Sequence, residues 1–217
     1  MKQINTAIFD MDGLLIDSEP LWKQAANEVF EAYGFTLSDK EYATTVGMRT
    51  YEFVEHWTRI YQLSEDDIPF LNKKIIDVVV KKINAEGVAL PGATDLIKAF
   101  KSEGFKVGIA SSSPLELIEV VARKLEIEEY VDILTSAEDL EYGKPHPQVF
   151  LECAKILGSE PYNCIVFEDS FNGMIAAKAA RMYCVVVPEH SLQQQQRWQA
   201  ADMQLNTLLD FTIDLFK

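Results

Sequence analysis

A chain of 217 residues and 24.6 kDa can bury a substantial core, and 48% hydrophobic with 25% charged residues is the balance of a globular protein. A formal charge of −14 and a pI near 4.6 set a mean field that repels polyanions, which excludes nucleic acid and an anionic membrane surface as expected partners. No apolar run approaches the roughly 20 residues that span a bilayer, and the opening segment lacks the apolar stretch and small-residue cleavage site of a signal peptide, so a soluble, cytoplasmic protein is expected.

In chain order, Thr6–Phe9 is the first predicted strand. After Asp12 the pattern turns amphipathic, and helices are predicted near Pro20–Tyr33, Ser38–Thr45, Thr50–Gln62 and Asp66–Glu86 with no strand between them. That span is too long for a crossover, so it predicts a small all-helical, four-helix bundle inserted between the first two strands. Leu90-Pro91-Gly92 punctuates the return. Strands at Lys106–Ala110, Ile133–Thr135, Cys164–Phe167 and Cys184–Val187 then alternate with helices at Ala93–Ser102, Leu115–Leu125, Pro147–Leu157 and Gly173–Ala180. Such alternation, with strands almost continuously apolar, predicts an α/β fold with a doubly wound parallel sheet covered on both faces. The expected division is a core of residues 1–16 and 88–217 and an inserted domain of residues 17–87. Gln193–Gln196 reads as the exposed face of a late helix, and Cys153, Cys164 and Cys184 read as buried free thiols suited to a reducing compartment.

Chemistry gathers at the strand ends. Asp10 and Asp12 follow the first strand two residues apart, so in extended backbone both acids address one side, while Gly13 lets the chain turn away. This is the carboxyl edge of the sheet, where open α/β folds bind ligands. At the end of the next strand, Ser113 fits an N-cap, Pro114 a first helical position and Glu116 the capping-box partner. The helix start would favour an anion, and Ser111 is free to donate to a phosphoryl oxygen. Lys144 stands in Gly143-Lys144-Pro145-His146-Pro147, whose turn residues fix the backbone for an ammonium that must reach inward. His146 is expected to be exposed, and His56 and His190 are given no role. Glu168 and Asp169 end the fourth strand on opposite faces, so one can meet a cation directly and the other through a neighbour. A hard cation such as Mg2+ fits an all-oxygen set of Asp10, Asp169 and the Asp12 backbone carbonyl; zinc is disfavoured for want of clustered Cys or His.

Taken together, Asp10-Met11-Asp12-Gly13, Ser111, Lys144 and Glu168-Asp169 resemble the haloacid dehalogenase superfamily in order and in placement at strand ends, over the chain to about Asp169. The resemblance implies a Rossmann-like core with a four-helix cap of the β-phosphoglucomutase-like group, and within that group Asp17–Trp22 and Gly47-Met48-Arg49 look most like the bacterial 2-deoxyglucose-6-phosphate and hexitol-phosphate phosphatases. It further implies Asp10 as nucleophile, Asp12 as acid and base, and Ser111 and Lys144 as catalytic groups that bind the phosphoryl oxygens with Ser112. Substrate contacts are expected at Arg49, Trp22 and Glu19, with a metal site at Asp10, Asp12, Asp169 and Glu168 for Mg2+. Trp22 stands where β-phosphoglucomutase carries a histidine, and Arg49 falls one residue earlier than the mutase arginine, which favours hydrolysis of a small phosphorylated metabolite over mutase chemistry. A monomer is the expected state. The alternatives are a mutase, a phosphoaspartate signalling receiver, whose acceptor lies on a later strand and which lacks a helical insertion, and a silent binding protein.

Overall fold

The computed structural model describes residues 4–216; residues 1–3 and 217, part of the expected core range, lie outside the described residues. At its centre is a six-stranded parallel sheet in the order β3-β2-β1-β4-β5-β6, with β1 Thr6–Phe9, β2 Lys106–Ser111, β3 Ile133–Ser136, β4 Cys164–Glu168, β5 Tyr183–Val186 and β6 Met203–Gln204. Along β1, Ala7 and Phe9 face one layer and Ile8 the other, the period of a strand covered on both sides. On the first side Phe9 stacks on Phe167 with ring centroids 4.8 Å apart, and Phe100 and Phe211 close around them. On the second side Ile8 packs among Val149, Phe150, Cys153, Val166 and Trp198. Each such aromatic or branched side chain contributes roughly 1.5–3 kcal/mol by leaving water.

The covering helices are α5 Ala93–Ser102, α6 Leu115–Lys124, α7 Gln148–Ile156 and α8 Phe171–Ala179. From β1 the chain builds β2 and β3 on one side and later β4 and β5 on the other, so a crevice opens at the carboxyl end of β1. Register fixes what meets there: Phe9 pairs with Ile109 and with Phe167, which sets Asp10 beside the ends of β2 and β4.

The cap interrupts the chain between β1 and α5, with α1 Glu19–Glu31, α2 Asp39–Tyr42, α3 Thr50–Ile60 and α4 Ile68–Glu86. Its interior is aromatic: Phe30 stacks on Phe35 and Phe53, and Phe35 on Tyr61 at 3.8 Å, against Leu71, Ile75 and Val79 of α4. The second cap helix is one turn long, fastened by a capping box between Ser38 and Glu41, and the chain then bends away to Gly47 at φ 83°. The two linkers pair with each other, Asp17 N donating to Val88 O at 2.9 Å and Leu90 N to Leu15 O at 3.0 Å. Gly87 sits where an added Cβ would lie 2.7 Å from Ile83 O and 2.8 Å from the Ile16 side chain.

Three details differ from the sequence expectations. Helix α6 starts at Leu115 because Pro114 is extended (ψ 146°) and takes the cap position itself; Ser113 makes no cap bond and turns its hydroxyl elsewhere. No late α-helix forms around Gln193–Gln196 among the described residues. Short 3-10 turns replace it, and the buried Gln193 amide donates to Pro188 O and Asn206 O, tying two loops together. The short β6 was not expected, being too brief for a periodic signal. The three cysteines are free and buried as expected, and burial pushes the Cys153 and Cys164 thiols up to about 12. No described helix is long and apolar enough to cross a membrane.

Candidate active site

Four strand ends deliver the polar groups. Asp10 follows β1 and is 7% exposed, its amide bonded to Phe167 O at 2.9 Å. Ser111 ends β2, Glu168 ends β4 with Asp169 next, and Lys144 arrives on the loop between β3 and α7. The Lys144 ammonium lies 2.9 Å from Asp10 Oδ1 and 2.7 Å from Glu168 Oε1, donates to Ala110 O at 3.2 Å, and rests over the Phe150 ring. Burial opposes this charge, but the two carboxylates overcome it and hold the lysine protonated.

Glu168 is fully buried and fully engaged: one oxygen takes Lys144, the other accepts from Ser170 N at 2.8 Å and Ser170 Oγ at 2.9 Å. Gly173 makes room for it, since an added Cβ would fall 1.7 Å from Glu168 Oε1. Gly13, at φ 71°, does the same for Asp169, whose Oδ2 would lie 2.2 Å from a Cβ there.

Ligand atoms of Asp10, Glu168 and Asp169 all lie within 4.8 Å of one another. Like charges so close raise each other: burial, with Glu168 and Asp12 adding and Lys144 opposing, pushes Asp10 up to about 8, and burial with Glu168 and Asp10 raises Asp169 well above the ordinary carboxylate range. Asp10 Oδ1 is buried, and its near neighbour is the Lys144 ammonium, 2.9 Å away as an ion pair rather than a well-aligned hydrogen bond. Three carboxylates gathered this closely offer an all-oxygen set that fits a hard divalent cation, so these are the residues that would hold Mg2+.

Asp12 lies apart from that cluster. Ser18 Oγ donates to its Oδ1 at 2.6 Å, Trp22 Nε1 to the same oxygen at 2.9 Å, and Ser113 Oγ to Oδ2 at 2.6 Å. Ser111 Oγ accepts from Ser113 N at 3.0 Å, which leaves its proton directed toward the cleft and toward Asp12 Oδ2, 3.5 Å away. Ser112 Oγ donates to Gly47 O at 3.1 Å, a contact between core and cap.

The cleft holds a cavity of about 60 Å³ and opens to solvent. Of the residues expected from sequence, Asp10, Asp12, Ser111, Ser112, Lys144, Asp169, Glu19 and Trp22 line it. Glu19 accepts from the Tyr42 hydroxyl at 3.0 Å; burial and Asp12 push it up to about 7 while Tyr42 pulls the other way. Arg49 does not line the cleft. Its Nη1 donates to Leu140 O at 2.6 Å and Ala137 O at 3.4 Å, its Nη2 pairs with Glu52, and its stem packs on Gly143. His146 is exposed, as expected. Sequence reasoning missed Ser18, Tyr42 and Ser170 and gave Ser113 another role. The adjacency of Ser18 to Asp17 and Glu19, and of Ser170 to Glu168-Asp169, was the available signal.

A parallel sheet whose carboxyl rim joins acids, a hydroxyl and a buried ammonium beneath a helical roof defines a capped phosphoryl-transfer enzyme of the Rossmann-like class. The profile described as haloacid dehalogenase-like hydrolase matches residues 4–181. Hexitol phosphatase B of Escherichia coli K12 is 41% identical over 212 residues, covering 97% of this chain and 96% of that protein. A phosphorylated carbohydrates phosphatase of Thermotoga maritima is 31% identical, covering 87% of each. Among solved structures, a variant of CbbY from Rhodobacter sphaeroides in complex with xylulose-(1,5)bisphosphate superposes with a TM-score of 0.87 at 25% identity, covering 95% of this chain and 96% of that one. The chain belongs to the haloacid dehalogenase-like hydrolases. It is a Mg2+-dependent phosphomonoester hydrolase that acts on a small phosphorylated metabolite through an aspartyl-phosphate intermediate.

Proposed function

We propose that the metabolite is a sugar or polyol monophosphate, with Asp10 as the phosphate acceptor and Asp12 as the proton carrier. In the first half-reaction an Asp10 carboxylate oxygen attacks phosphorus, the bond from phosphorus to the ester oxygen breaks, and Asp12 gives its proton to the leaving alkoxide. In the second, Asp12 takes a proton from water as that water attacks phosphorus, the bond to Asp10 breaks, and inorganic phosphate leaves. Ser18 and Ser113 suit both states of Asp12, since a hydroxyl donates to a carboxylate and accepts from a carboxylic acid. Ser111 and Lys144 meet the phosphoryl oxygens, Ser112 steadies the cap, and Glu168 keeps Lys144 in place. When bound by Asp10 and Asp169, with the Asp12 carbonyl, Mg2+ supplies further positive charge to those oxygens.

The observation that carries this reading is the convergence of Asp10, Asp12, Ser111, Lys144 and Asp169 on one cleft roofed by Glu19, Trp22 and Tyr42. Two relatives named for hexitol and carbohydrate phosphates support the substrate class. Residues 17–87 are taken as the cap and 1–16 with 88–217 as the core, because the paired linkers at Leu15–Asp17 and Val88–Leu90 are where the chain crosses. We place the enzyme in the cytoplasm as a monomer with no nucleic acid or membrane partner, supported by its charge of −14 and its buried thiols. The test is phosphate release across a panel of phosphorylated metabolites with Mg2+ and with chelator. Polyol and sugar monophosphates should lead and the chelator should stop turnover; activity confined to other esters, or indifferent to chelation, would overturn the reading.

A further inference from the structure

Resting on that substrate class, we propose that the cleft admits only substrates whose sole anion is the transferred phosphate, and discriminates against those carrying a carboxylate or second phosphate at the far end. Among the described residues lining the cleft, Lys144 is the one cation. Its side chain is 1% exposed and already shared between Asp10 and Glu168, so it serves the reacting phosphate and has no reach to the distal part of a substrate. The distal lining comes from the cap and is neutral or acidic: Trp22, Tyr42, Thr45, Met48 and Phe53, with the Glu19 carboxyl among them.

Nearby cations are committed elsewhere. Arg49 lies between two lining residues, Met48 and Thr50, yet its guanidinium is fastened to Leu140 O and Ala137 O and paired with Glu52. A side chain at residue 143 would collide with it, a Cβ falling 2.9 Å from Arg49 Nε, so the bare Gly143 backbone is what lets the arginine lie there. Lys23, next to Trp22, pairs with Asp39. Asp12, Asp17 and Glu189 add negative field around Glu19. A second anion placed under the cap would therefore lose its water, find no counter-charge and face several carboxylates, an arrangement that costs affinity. The neutral hydroxyls of a polyol chain meet hydrogen-bonding partners there instead, Glu19 and Tyr42 first.

The experiment compares kcat/KM within matched pairs on the wild-type enzyme with Mg2+. Sorbitol 6-phosphate against 6-phosphogluconate differs only in a terminal alcohol or carboxylate; fructose 1-phosphate against fructose 1,6-bisphosphate differs only in a second phosphate. The neutral-ended member should be favoured by about 30-fold, the effect of one uncompensated charge near others. Met48→Arg, which puts a cation on the cap side of the cleft, should narrow both ratios several-fold, the comparison being made within each pair so that any change in the rate on the neutral-ended member cancels. Ratios within about threefold of unity for the wild-type enzyme would overturn the proposal, and so would a Met48→Arg protein that folds and binds Mg2+ but leaves both ratios unchanged. Failure of the substrate-class reading looks different: none of the four esters would be hydrolysed while p-nitrophenyl phosphate still is.

Discussion

The rim of the sheet and the underside of the cap face each other across one cleft, and they are built on opposite plans. On the rim, Asp10, Lys144 and Glu168 are buried, charged and locked by ion pairs 2.7–2.9 Å long, with glycines at 13 and 173 where a methyl group would not fit. Under the cap, Glu19, Trp22 and Tyr42 are partly exposed and held by single hydrogen bonds, Tyr42 donating to Glu19 and Trp22 to Asp12. Chemistry that must be the same for every substrate is given to preorganised groups on rigid strands, whereas recognition, which need only favour one class, is left to an insertion that can move. Asp12 joins the two halves, gripped by Ser113 from the core and by Ser18 and Trp22 from the cap side.

The sharpest way to break this contrast is at the rim. Asp10→Asn, nearly isosteric, should lower kcat by at least about a thousandfold, because an amide cannot serve as the phosphate acceptor, while circular dichroism stays unchanged. Turnover close to normal would require a different nucleophile. Lys144→Met should follow, losing activity by about a hundredfold or more and destabilising the fold by roughly 3–5 kcal/mol, since two buried carboxylates lose their counter-charge; denaturant titration reads the second effect. An unchanged midpoint would mean those acids are neutral in the folded protein.

Asp12→Asn probes the joint between the halves. It should cut kcat by roughly 10²–10⁴ on an alkyl phosphate and much less in the first half-reaction on p-nitrophenyl phosphate, whose leaving group needs no proton. Equal losses in single-turnover formation of the phosphoenzyme from both esters would remove Asp12 as the acid.

The smallest effect belongs to the cap. Glu19 is raised in the folded protein from 4.5 to about 7, so the native state binds its proton more tightly and stability falls as pH rises through that window. Glu19→Gln should therefore leave the melting temperature near wild type at pH 4.5 and raise it above wild type at pH 8, by something on the order of 1 kcal/mol of stability. A gap that closes rather than opens with rising pH would show the carboxylate to be favoured by its site.

Much of the rim could be read from the chain alone. Buried parallel strands announce themselves as short apolar runs, and an acid or serine just beyond such a run has only the carboxyl edge to occupy; Asp10, Asp12, Ser111 and Asp169 were read that way, and Lys144 from the Gly and Pro that flank it in its loop. What the sequence could not decide depended on partners far along the chain. Ser113 reads locally as a helix cap and is instead drawn to Asp12, 101 residues away. Arg49 reads as a substrate contact beside Met48 and is instead bound to carbonyls 88 and 91 residues on. Local sequence fixes backbone conformation and burial pattern, because those follow from each residue's own sterics and hydropathy. The direction taken by a polar side chain between two surfaces is settled only when folding brings up its competing partners, and here that choice turned the Arg49 guanidinium to the core carbonyls and away from the cleft.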